Sequence, residues 1–112
     1  MQTAVAHIAT ARATRYLVQF CEHARAMGGG HGGARMHLGA AAHRDVQVHA
    51  EWSDTRGVIT FTPWGQCTLT AAADALTLRI EATDEEGLGK IQDVITRDLD
   101  RFGRRDRLTV AW

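Results

Sequence analysis

The sequence, 112 residues long, predicts an α+β fold: a two-layer sandwich in which one antiparallel sheet carries two helices on one face. Three observations predict it. Two segments space their apolar residues three and four apart, the period of a helix with one buried stripe. Other segments alternate apolar and polar side chains, the period of a strand with one buried face. Four of those alternating segments follow one another across short turns, which is the pattern of an antiparallel meander. Stripes and faces of this kind bury each other when helices and sheet stack in two layers.

The expected order is β-α-β-β-β-β-α-β. Residues 3–9 read as a short strand. A helix follows from about Ala11 to Met27, because Ala13, Tyr16, Leu17, Phe20, Cys21 and Ala24 share one face, with Arg12, Arg15, Gln19 and Glu22 largely on the other. The run Gly28-Gly29-Gly30-His31-Gly32-Gly33 ends it, since glycine supplies left-handed conformers and disfavours continuation. Val46, Val48, Ala50 and Trp52 then alternate with Gln47, His49 and Glu51. A turn closes at Gly57, and Val58 to Phe61 form the partner strand. Pro63-Trp64-Gly65 makes the next turn, with Trp64 expected to be exposed as a partner contact. Gln66 to Thr70 and the alternation of Leu76, Leu78 and Ile80 give two further strands. Thr83 and Glu86 have capping-box spacing ahead of a second helix, whose stripe is Leu88, Ile91, Ile95, Leu99 and Phe102. Its acids, Asp93, Asp98 and Asp100, alternate with Lys90, Arg97 and Arg101 and read as a solvated, ion-paired face. Gly103 stops this helix. Leu108, Val110 and Trp112 complete the pattern as a last strand, with Trp112 in the core. The whole resembles a ferredoxin-like plan with an extra hairpin.

Length and composition make this a single domain over residues 1–112, with a Gly/His-rich insert at about residues 28–43. An apolar fraction of 45% is enough for one core. Thirteen basic residues balance thirteen acidic ones, so no excess charge drives nucleic-acid binding. Nothing resembles a signal peptide or a membrane span, and the two cysteines do not form a C-x-x-C pair. A cytoplasmic location without a membrane association is therefore expected, and a structural disulfide is not. The only serine, Ser53, sits in a turn between strands, and the glycine run follows a helix where a phosphate loop would precede one. The balance leans away from an enzyme.

Four histidines, His31, His37, His43 and His49, recur every six residues. Imidazole is the commonest transition-metal ligand, so nickel, copper, zinc or iron is the cofactor class they suggest. The spacing itself argues against a shared site on regular structure. Six residues turn a helix by about 240°, and on a strand neighbouring rings would sit about 20 Å apart. A site would need a looped backbone or a second subunit. His49 and Glu51 share the polar face of one strand and form the best-defined local pair, able to offer two ligands or a base with its orienting carboxylate. Cys21, His23 and Cys67 form a second candidate, a thiol site. Cys21 and His23 point about 200° apart on their helix, so packing of both thiols in the core, and a His23 ring hydrogen-bonded at the sheet edge, is the competing expectation.

Several segments together resemble a small bacterial family, the domain of unknown function 2218. They are Thr14-Arg15-Tyr16-Leu17 with Cys21 and His23; Arg56-Gly57-Val58-Ile59; Gly65-Gln66-Cys67-Thr68-Leu69; Ala75-Leu76; Glu81-Ala82; Asp93-Val94-Ile95; and Arg101-Phe102. In that family the first helix runs almost directly into the Val48–Trp52 strand, so the Gly/His stretch looks like an insertion. The resemblance implies a neighbourhood of iron acquisition, because some members are joined to siderophore-interacting ferric reductases. It implies no catalytic residue. Three functions are expected in descending order: a non-catalytic module binding itself or a siderophore-interacting reductase, a transition-metal accessory using the histidines, and a small Cys/His-dependent enzyme.

Overall fold

The computed structural model describes residues 1–28, 47–104, 108, 110 and 112. Its elements are β1 (Gln2–Ala9), α1 (Ala13–Gly28), β2 (Gln47–Trp52), β3 (Arg56–Thr62), β4 (Gly65–Ala71), β5 (Ala75–Ala82) and α2 (Glu85–Phe102). The five strands form one sheet in the order β1-β5-β4-β3-β2, antiparallel at every junction. The α+β sandwich is the architecture the periodicities demand. β2 to β5 are the meander, and β1 adds to its far side against β5. α1 therefore carries the chain from one sheet edge to the other, packing mainly on β2, while α2 lies over β5.

One face of the sheet is apolar, and both helices cover it. Ala6, Ile8, Ile59, Phe61, Cys67, Leu69, Leu76, Leu78, Ile80 and Ala82 come from the strands and are buried. Tyr16, Leu17, Phe20, Cys21 and Ala24 of α1 and Ile91, Ile95 and Leu99 of α2 close over them. Each large side chain fully buried in this way contributes about 1.5–3 kcal/mol. The layers come closest at Gly57. A side chain there would stand 2.7 Å from the Sγ of Cys21 and 3.3 Å from Leu17. Glycine at this position lets α1 settle onto β3.

Two details differ from the expected boundaries. The N-cap of α2 is Asp84, one residue after Thr83: its Oδ1 accepts from the Gly87 N–H at 2.7 Å. Thr83, just past the end of β5, is not the cap; its N–H donates to the Trp64 carbonyl at 3.0 Å. The β3–β4 turn contains a cis Thr62–Pro63 bond and Gly65 at φ +147°, where a Cβ would run into the Glu81 carbonyl.

The expected last strand does not form at Leu108, Val110 and Trp112, and with it goes the ferredoxin-like return to the sheet. Leu108 donates its N–H to the Gly103 carbonyl at 3.1 Å, and Leu108 and Val110 pack half-buried against the core. Trp112 is 37% exposed and donates Nε1–H to Thr96 Oγ1 at 3.2 Å, so it is not a core residue. Of the three alternating residues only Leu108 and Val110 pack against the core.

Trp64 is also corrected. It is half-buried, stacked on Phe61 at 6.3 Å, with the Lys90 ammonium 5.2 Å from its ring. The turn folds under the start of α2 and does not project as a partner contact.

Candidate functional site

The helices leave the opposite sheet face bare. The strand registers align its side chains in rows across the strands. One row runs Thr3, Glu81, Gln66, Thr60, His49; the next runs Val5, Arg79, Thr68, Val58, Glu51; a third begins His7, Thr77, Thr70, Arg56. Glu81 anchors the polar part. Its Oε1 accepts from Gln66 Nε2 at 3.3 Å, and its Oε2 lies 3.6 Å from Arg79 Nη2. His7 Nδ1 lies 3.1 Å from Thr77 Oγ1. Toward Met1 and the β3–β4 turn this face dips into an open groove of about 370 Å³, with Thr60, Gln66 and Glu81 among its lining residues. The face offers hydrogen-bond partners and charges of both signs.

His49 and Glu51 are together, as expected. Nε2 and Oε2 are 2.9 Å apart on the outer strand β2, but the side chains are 70% and 80% exposed. A pair so solvated is screened and is worth at most about 1 kcal/mol. Among the described residues, no three His, Cys, Asp or Glu side chains gather as a metal-holding group. His31, His37 and His43 lie outside the described residues.

Cys21, His23 and Cys67 do not form one site. Both thiols are buried and reduced in the interface between α1 and the sheet. Burial pushes the Cys21 thiol up to about 11. Burial, and then the nearness of Cys21, pushes the Cys67 thiol up to about 12. A nucleophile or a metal ligand needs the thiolate, which this environment disfavours. His23 turns away to the seam between the two helices. Its Nε2 lies 3.4 Å from Asp98 Oδ1, and its ring meets Phe102 edge-on at 5.4 Å.

Asp98 is the residue that the sequence reading misplaced. Its side chain is only 13% exposed, and burial raises its carboxyl above the usual 3.8, with His23 and Arg101 pulling the other way. A signal was available: Asp98 falls three residues after Ile95 and seven after Ile91, in line with the buried stripe. The pair clamps α1 to α2 beside the edge-on contact of Phe20 and Phe102.

A family model described as "Uncharacterized protein conserved in bacteria (DUF2218)" matches residues 32–112. The chain belongs to that family. The DUF2218 match begins inside the Gly/His stretch and takes in β2 to β5, α2 and the C-terminal segment. β1 and α1 precede it, so the likeness at Thr14, Arg15, Tyr16, Leu17, Cys21 and His23 rests on those residues alone. Residues 32–43 fall within the match, which does not mark them as foreign to the DUF2218 family. Among solved structures, the NMR structure of PA4090 from Pseudomonas aeruginosa is similar. The two chains are 25% identical, the alignment covers 100% of this chain and 95% of that one, and the TM-score is 0.64. That likeness includes β1 and α1. A search of curated proteins finds no match. Among the described residues, no helix is long and apolar enough to cross a membrane.

Proposed function

We propose that this protein is a non-catalytic interaction module that works through the side of its sheet that the two described helices leave uncovered, and above all through the outer edge of β1, which no described strand pairs. The observation that supports this reading is the character of that edge. β1 runs for eight residues with no Lys, Arg, Asp, Glu or Pro, and its register with β5 is unbroken from Gln2↔Ala82 to Ala9↔Ala75. Natural edge strands are guarded by charge, proline, bulges or brevity, because unpaired N–H and C=O groups template another strand. β2, the other edge, carries His49 and Glu51 and is shorter. An unguarded edge beside a mixed polar face suits a protein partner.

The partner classes are a second copy of the chain and, from the family resemblance, a siderophore-interacting reductase. The reading is tested by placing a photo-cross-linking side chain at Val5 on the edge, and at Arg97 on the outer face of α2 as the control, in producing cells. Protein adducts are expected at Val5 and not at Arg97. Equal labelling at the two positions, or none at Val5, would overturn the module reading. Mixing with a siderophore-interacting reductase and following co-sedimentation tests that partner class.

A further inference from the structure

We propose that β1 pairs antiparallel with β1 of a second copy of this chain, about a two-fold axis at Val5, fusing two five-stranded sheets into one continuous sheet. This rests on the reading of the β1 edge as the working surface and names its occupant.

The choice of a second copy comes from how β1 matches itself. Residues directly opposite in an antiparallel pair lie on the same face of the sheet. Among the described residues the exposed large apolar side chains are Met1 (86%), Val5 (44%) and Trp112. Met1 and Val5 share the bare face of β1 and its N-terminal flank, with exposed Ala9 at the same parity. Centring the axis on Val5 sets Val5 against Val5 and Met1 against Ala9. It sets Thr3 against His7 twice, between the apolar pairs. On the helix side Ala4 meets Ala6, and Gln2 meets Ile8. No like charges oppose one another anywhere along the strand.

Thr3 is flanked on β5 by Glu81, and the His7 ring is turned to Thr77 of its own β5, Nδ1 3.1 Å from Oγ1. His7 of one copy and Glu81 of the other thus stand on the same face two strand spacings, about 10 Å, apart. Neighbouring registers lose this match. Centring on Ala6 opposes Val5 to His7 and leaves Met1 facing Ala11 beyond the strand. Centring on Ala4 opposes Met1 to His7 and Val5 to Thr3. A register centred on Thr3 also sets Met1 against Val5 but joins only residues 1–5; the Val5 register gives both exposed apolar side chains apolar partners along the whole strand.

The test is sedimentation velocity across a micromolar concentration series. The wild-type chain is expected at twice its own mass, dissociating on dilution. Val5→Lys, on an exposed position, is expected to weaken association at least tenfold with an unchanged circular dichroism spectrum. Arg97→Glu, exposed on the outer face of α2, is expected to leave it unchanged. Val5→Cys is expected to form an intermolecular disulfide on mild oxidation, and Arg97→Cys is not. A wild-type chain that stays monomeric at every concentration overturns the proposal, as does a dimer insensitive to Val5→Lys. A monomer whose Val5 photo-adducts lead to other proteins overturns the second copy while leaving the module reading in place. A monomer with no Val5 adducts ends both.

Discussion

Cys21 and Cys67 sit where α1 meets the sheet, and their burial gives the fold a dependence on alkali. Both thiols titrate higher in the fold, about 11 and about 12, than the 9.0 of a free thiol. The folded chain thus holds these protons more tightly than the unfolded chain does. Their contribution is complete below pH 9 and is lost as the pH climbs toward the folded values. Urea denaturation is expected to show little change from neutral pH to pH 9 and a steep decline beyond it, a decline made shallower by Cys67→Ala. The same burial predicts that a maleimide labels neither thiol until the protein unfolds; native-state labelling close to the unfolded rate would contradict it. Gly57→Ala drives a methyl group against the Cys21 sulfur and is expected to cost about 1–3 kcal/mol. Cys21→Ala in the same chain should recover part of that cost, and a double-mutant cycle in urea measures the coupling. The sequence showed that Cys21 belongs to an apolar face; Gly57, expected to close a turn, lies instead within β3, paired with Trp52 and Leu69. The sequence did not show that the two touch, because which helix residue crosses which strand depends on the path of α1 over the whole sheet.

The two helices illustrate how far periodicity reaches. The stripes of α1 and α2 were legible, since a 3.6-residue repeat of apolar side chains has one packing solution. The seam between them was not, because Asp98 stands among acids and bases whose alternation resembles a solvated face. In the fold, burial raises its carboxyl, so the ionised form is disfavoured and stability falls as the pH rises through the range above 3.8. The partner, His23, offsets this when protonated. Asp98→Asn keeps the shape and removes the charge. It is expected to raise the unfolding free energy by about 0.5–1 kcal/mol at pH 8, because the amide carries no charge for burial to disfavour. Chemical denaturation checks it, and a loss of stability would mean that the His23 contact outweighs the burial. The shifted N-cap has a similar lesson. Thr83 and Asp84 are both good caps by residue type, and the choice fell to the Trp64 carbonyl, a contact from a distant turn.

At the scale of the whole molecule, the described strands and helices close one apolar core. Deleting residues 31–43 is expected to preserve cooperative thermal unfolding and the mass seen in sedimentation. Any stoichiometric uptake of nickel, copper, zinc or iron by the whole chain is expected to vanish with the deletion, because the described residues gather no group of three ligands; calorimetric titration of both chains decides it. The layers, the meander and the two described helices were legible because each follows from local repeats. The position of β1 was not, since its partner lies at the other end of the chain. That placement has a cost during synthesis. Ala9 waits for Ala75 and Gln2 for Ala82, so the first strand to leave the ribosome is the last to find its neighbour. Such distant pairings are slow to close. The segment most eager to pair with another strand thus spends translation uncovered, and crowded nascent chains are where this protein will aggregate first.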